Sequence, residues 1–126
     1  VPSPTHHTPE SPKQNLEIEQ GATFQYNVYW KDADTGLPID ISGYTGRMHI
    51  RESHDAIDPP LLELTNANSR LVLGGAAGTI QMVISATDTA ALTFTEGVYD
   101  LELESPGGIV DRILYGGVEV TPEVTR

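Results

Sequence analysis

The sequence predicts an all-β fold, two antiparallel sheets packed face to face behind an extended amino-terminal arm, and three stretches predict it. In residues 97–121, Tyr99, Leu101 and Leu103 alternate with Asp100, Glu102 and Glu104, the period of a strand with one buried and one wet face. Ser105-Pro106-Gly107-Gly108 supplies turn chemistry, and residues 109–115 and 118–120 run back as the partner strand. Gly116-Gly117 interrupts that return and marks a bulge or a close backbone approach. In residues 23–31, Phe24, Tyr26, Val28 and Trp30 form one aromatic-rich face against Gln25, Asn27 and Tyr29. Residues 1–14 do neither: they hold four of the nine prolines and almost no large apolar side chain. Such a segment cannot bury enough surface to offset its ordering entropy, so alone it is expected to be extended or disordered, and to become ordered by lying on another surface.

The remaining elements follow in order. Residues 16–19 read as a short strand with Leu16 and Ile18 on one face, broken by Gln20-Gly21-Ala22. Trp30, in phase with its neighbours, is a core residue rather than a ligand platform. The Asp32-Ala33-Asp34-Thr35-Gly36 stretch invites a calcium reading through Asp32 and Asp34, but the further ligands of a long cation loop do not follow in register. Aspartate and glycine also suit a hairpin turn, which is the better reading. Residues 44–51 give a third strand, with Tyr44, Met48 and Ile50 inward and Thr45, Arg47, His49 and Arg51 outward. Arg47 and Arg51 are expected to pair across strands with Glu102 or Glu104, or to dock an acidic partner.

Residues 52–60 form a polar loop, and residues 61–64 and 71–73 are short strands around a turn-rich Thr65-Asn66-Ala67-Asn68-Ser69. The small-residue run 74–78 lacks the Lys-Ser/Thr pair of a phosphate loop and leads into a strand, residues 79–85, where Ile80, Met82 and Ile84 alternate with Gln81 and Val83. Residues 85–92 read as one capped helical turn, with Ser85 or Thr87 as the cap and Asp88 near its positive end.

Composition narrows the function classes. The 126 residues suffice for one domain with a real core. No run of about 18 apolar residues exists, and no basic start followed by an apolar stretch. Cysteine is absent, which removes disulfides, thiolate chemistry and Cys-based metal sites. Eighteen acids against seven bases give a formal net charge of −11, the wrong sign for a nucleic-acid binder or an anionic membrane. The acidity suits solubility or a basic patch on a protein partner.

Catalytic and cofactor chemistry is not legible. His6 and His7 lie in the arm, and His49 and His54 flank a strand end at a spacing that does not by itself bring them to one site. Surface histidine is the default reading, and no metal or cofactor site is assigned. No serine sits in a nucleophile elbow. Asp100, Glu102 and Glu104 share one wet face, where mutual repulsion raises a pKa, but a solvated row accounts for them. No catalytic residue is assigned, and the chain is expected not to be an enzyme.

Several motifs carry a resemblance. The order is Asp-x-x-Thr-Gly-Leu-Pro-Ile-Asp-Ile-Ser-Gly-Tyr, then Gly-Arg-Met-His-Ile-Arg, then Leu-x-Leu-Gly-Gly-Ala-Ala-Gly-Thr-Ile. Ser-Ala-x-Asp-Thr-Ala-Ala-Leu, Gly-Val-Tyr-Asp-Leu-Glu-Leu and a closing Pro-Glu-Val-Thr-Arg follow. From about Asn15 to Arg126 the chain resembles the small β-sandwich proteins encoded among tail and virion structural genes of bacteriophages and prophages. It is also similar to the amino-terminal domain of phage baseplate upper proteins, which continue into a helical or fibre region, whereas this chain stops at Arg126. The resemblance implies a virion subunit, made in the host bacterial cytoplasm, that binds other virion proteins (tail, portal-proximal, fibre or capsid subunits) and copies of itself.

The full expectation is an immunoglobulin-like antiparallel β-sandwich of roughly seven or eight strands over residues 15–126, behind an arm of residues 1–14. Its expected function is non-enzymatic, as a tail, baseplate or fibre-adaptor subunit assembling through its arm and sheet edges. A capsid decoration protein is the neighbouring expectation. A carbohydrate- or receptor-binding module is the rival of another class, with Tyr29 and Tyr115 as its exposed aromatic candidates.

Overall fold

The computed structural model describes residues 12–125. Most of the expected arm, with His6 and His7, lies outside the described residues. The elements run β1 (Leu16–Glu19), β2 (Phe24–Tyr29), β3 (Thr45–Arg51), β4 (Leu62–Thr65) and β5 (Leu71–Leu73), then β6 (Thr79–Ile84), α1 (Ala86–Ala90), β7 (Glu96–Glu104) and β8 (Val110–Thr121). The fold is mostly β. A five-stranded sheet has the order β1-β8-β7-β3-β4, and a three-stranded sheet the order β2-β6-β5.

The alternation read from the sequence decides how the sheets pack. Ile18, Met48, Ile50, Leu64, Leu101 and Leu103 of the large sheet and Leu71, Ile80, Met82 and Ile84 of the small one are buried in one core. Each such side chain contributes about 1.5–3 kcal/mol by leaving water. Trp30 closes one side of this core at 3% exposure, edge-on to the Tyr44 ring at 6.3 Å. Phe24, Tyr26 and Val28 pack beside it, half-buried, as the phase of residues 23–31 predicts.

The turns follow their sequences. Asp32 Oδ1 accepts from the Asp34 and Thr35 amides at 2.8 and 3.1 Å, and Gly36 takes φ +73°. The loop is therefore a hairpin turn closed by the Lys31–Pro38 bridge. Ser85 caps α1, its Oγ accepting from the Asp88 amide at 3.1 Å, with Asp88 in the first turn. Thr89, fully buried, holds the helix to the chain before β2: its hydroxyl donates to the Ala22 carbonyl at 2.8 Å and accepts from the Gly21 amide at 3.0 Å.

Four features differ from the sequence reading. First, β1 pairs parallel with β8, Leu16 beside Val118 through Glu19 beside Thr121, so the large sheet is not wholly antiparallel. Strands joined by nearly the whole chain escape the hairpin constraint that makes sequence neighbours antiparallel. Second, β8 runs unbroken through Gly116-Gly117, and the register shifts instead opposite Leu101/Glu102, where Leu101 pairs with Leu114 but Glu102 with Arg112. The extra residue is Ile113, and Ile113 and Leu114 are both buried, as a bulge requires. Third, the run after β5 contains a 3-10 turn, Gly75–Ala77. Gly78 ends it at φ +66°, where a β-carbon would lie 2.7 Å from the Trp30 carbonyl oxygen. Fourth, residues 12–14 extend the sheet: the Gln14 amide donates to the Tyr115 carbonyl at 2.8 Å, and the Tyr115 amide to that of Pro12 at 3.2 Å. Gly116 makes room for this segment, since a β-carbon there would collide with the Gln14 carbonyl oxygen.

Candidate functional site

The outward face of the five-stranded sheet is polar and charged, because the register brings its charges into rows. One row runs Thr65, Arg47, Glu102, Arg112 across β4, β3, β7 and β8; the next runs Glu63, His49, Asp100, Tyr115. Over these rows lies a groove with a cavity volume of about 290 Å³. Asp100 and Glu102 line it together with Arg47, Arg51 and Arg112, and His49 and His54 border it as well. The two histidines, which spacing alone does not bring together, thus share one site, with the end of β3 between them.

Ion pairs within the fold hold most of these side chains. Arg47 Nε lies 3.0 Å from Glu102 Oε1 and its Nη1 3.9 Å from Glu104 Oε1, the cross-strand pairing expected from the sequence. Arg51 pairs elsewhere, with Asp58 Oδ1 at 2.6 Å, because it sits at the strand end beside the loop. Its Nη2 also lies 3.1 Å from His49 Nδ1, while His49 Nε2 lies 2.9 Å from Glu63 Oε2. A guanidinium only donates, so Nδ1 accepts and the Nε2 proton goes to Glu63. The result is a chain of bonds, Glu63 to His49 to Arg51 to Asp58, that ties β4 and the loop to β3.

Asp100 is the perturbed group. Burial pushes its carboxyl above the usual range and the Glu102 charge adds to the rise, while Arg112, His49 and His54 pull it down. The repulsion expected along this acidic row is therefore present, behind burial as the larger cause. Arg112 lies over the Tyr115 ring, 4.9 Å from its centroid, so Tyr115 is a wall of the groove rather than an open platform. Among the described residues no three His, Asp or Glu side chains gather as a metal site, and no helix is long and apolar enough to cross a membrane.

The other sheet presents the opposite character. Its outward positions are Gln25, Asn27 and Tyr29 on β2, Thr79, Gln81 and Val83 on β6, and Val72 on β5. None is charged, in a chain of net charge −11. Tyr29 is 62% exposed and Val72 50% exposed there, so Tyr29 does stand free as the sequence phase predicts.

No family model matches this chain, and no curated protein does. The groove is therefore read from its own residues. Its rows are invisible in the linear sequence, because β3, β7 and β8 meet only through a register that a bulge resets. The alternating charges of β3 and β7 were the available signal: they pointed to Glu102 or Glu104 as partners for Arg47 and Arg51, which holds for Arg47 and not for Arg51.

Proposed function

We propose that the chain is a non-enzymatic structural subunit of a bacteriophage virion, in the tail, baseplate or an adaptor to a fibre, with an immunoglobulin-like sandwich as its domain and residues 1–14 as an assembly arm. The observation that carries this reading is the backbone ladder between residues 12–14 and β8. An extended segment there joins a sheet by main-chain hydrogen bonds, the chemistry by which strand-adding assemblies recruit a neighbour. The motif resemblance supports the virion setting. The groove supports a structural role, since Arg47, Arg51 and His49 are engaged with Glu102, Asp58 and Glu63 within the fold.

Quantitative mass spectrometry of purified particles, referenced to the major capsid protein, tests the reading. A few copies to a few dozen place the chain at the tail or fibre junction. A ratio near one per capsid subunit makes it a decoration protein, and absence from particles overturns the proposal.

A second reading has its own observation. The uncharged face around Tyr29, with Gln25, Asn27 and Gln81, offers an aromatic surface and amides to a neutral glycan. Glycan-array binding lost in Tyr29→Ala supports that reading, and a blank array removes it.

A further inference from the structure

Each sheet ends in two edge strands, β1 and β4 in the large one and β2 and β5 in the small one. An open edge is a row of unpaired amides and carbonyls, and folds guard it with charge, proline or brevity. β1 carries Glu17 and Glu19, β4 carries Glu63 and is preceded by Pro59-Pro60, and β5 has only 3 residues, next to Arg70. β2 has none of these guards. It is the longest of the four edges at 6 residues, and no charged side chain falls between Glu19 and Lys31.

The Trp30 amide donates to the Gly78 carbonyl at 2.8 Å and so faces β6. By the period of two, the main-chain groups of Val28, Tyr26 and Phe24 face β6 as well, opposite Ile80, Met82 and Ile84. Gln25, Asn27 and Tyr29 therefore turn theirs to the free edge, where no strand pairs among the described residues. The core-facing side chains of this edge are also incompletely covered. Phe24, Tyr26 and Val28 are only half-buried, whereas Ile84, Met82 and Ile80 directly opposite are fully buried. A cleft of about 290 Å³, lined from β1 and β2, runs along Phe24 and Tyr26.

We propose that β2 pairs antiparallel with β2 of a second copy of the chain, about a two-fold axis through Asn27, joining the two small sheets into one. An antiparallel edge is its own complement under such an axis. Asn27 meets Asn27, and Gln25 meets Tyr29 of the other copy, each pair exchanging both main-chain bonds. Moving the axis to Tyr26 or Val28 loses one of these pairs. On the core side Tyr26 meets Val28 of the other copy at the closer spacing, an aromatic against a β-branched side chain. The Asn27 side-chain amides, donors and acceptors both, face each other across the axis. From residue 23 to residue 31 no like charges are opposed, since Lys31 falls opposite Thr23.

The net charge of −11, and Glu17 and Glu19 lining the cleft from β1, oppose the pair from outside the ladder. Salt screens such repulsion, over about 30 Å at 0.01 M and ~8 Å at 0.15 M, so the pair tightens as salt is added. The proposal gives the assembly reading a named edge but does not rest on the virion setting: dimerisation of the purified chain and presence in particles fail independently.

Sedimentation equilibrium at about 0.01 M and 0.15 M salt tests it on four samples: the wild type, Asn27→Lys, Asn27→Asp and an equimolar mixture of the two variants. The wild type is expected to dimerise, more tightly at the higher salt. Each variant alone sets like charges opposite one another on the axis and is expected to pair at least about tenfold less tightly. The mixture is expected to recover a one-to-one heterodimer, because lysine then faces aspartate. A wild type that stays monomeric at ~1 mM overturns the proposal and leaves the edge to a strand of a different protein. So do variants that pair like the wild type, or a mixture no tighter than its components. Circular dichroism checks each fold. Where one fails, Asn27→Pro, which deletes only the outward amide, takes its place, and a proline variant that still pairs overturns the proposal.

Discussion

The Tyr99 hydroxyl donates to the carbonyl oxygen of Gln14 at 2.5 Å, a bond between residues 85 apart in sequence. Tyr99 is nearly buried, and burial raises its phenol far above the ordinary range, so the hydroxyl stays protonated as the donor. It holds the segment before β1 across Gly116.

Tyr99→Phe keeps the ring and removes this donor. The expected cost is about 1 kcal/mol, read as a fall in melting temperature of about 4 °C. Gly116→Ala attacks the same contact from the other side, by collision with Gln14. Both variants should increase amide exchange at Gln14 and Tyr115; unchanged exchange in both would refute the role given to this bond.

Trp30 and Tyr29 are neighbours with opposite burial, 3% and 62% exposed. Trp30→Ala should cost about 3–5 kcal/mol in urea denaturation. Tyr29→Ala should stay within about 0.5 kcal/mol. Equal costs would contradict the packing described.

The Asp100 carboxyl titrates above its ordinary value of 3.8. Between that value and its raised one, the folded state holds more protons than the unfolded state. Stability due to this group therefore falls as pH rises through the window, and above it the penalty is constant. Asp100→Asn should melt higher than the wild type at pH 7, with the difference vanishing below about pH 3.8. A constant difference across thermal melts from acid to neutral pH would reject the assignment.

Asp88 behaves in the opposite sense. The hydrogen bond from Arg70, 2.9 Å away, holds its carboxyl below the ordinary 3.8. Its contribution is present above that value and lost as pH falls through the depressed one. Ser85→Ala, which removes the cap of the same helix, should cost about 1 kcal/mol at neutral pH. Asp88→Asn should flatten the acid limb of the stability curve; an unaltered limb would show that the Arg70 contact does not matter.

Much of the strand content was legible because burial on one face writes a period of two into the residues. The alternation of Tyr99, Leu101 and Leu103 located β7, and that of Ile80, Met82 and Ile84 located β6. Ser85 was legible as a cap and Asp32 as a turn residue, since both act on amides two or three positions away. What needs distant partners was not legible. The parallel β1–β8 pair depends on where the chain returns some hundred residues later, and nothing in Leu-Glu-Ile-Glu specifies that direction. The glycine pair was read as a bulge or a close backbone approach: Gly116 is the close approach, to the Gln14 backbone, while the bulge fell at Ile113, where two buried side chains in succession blend into an apolar run. The groove was hidden for the same reason: it exists only once Arg47, Glu102 and Arg112 stand in one row.

The parallel pairing of β1 with β8 also sets how the domain would bear a mechanical load. Chain enters at one end of this pair and leaves at the other, so tension between residues 12 and 125 pulls the two strands in opposite directions along their own length. The bonds between them are then strained together in shear, rather than peeled one after another. A tether at either end would meet the strongest direction of the sheet first.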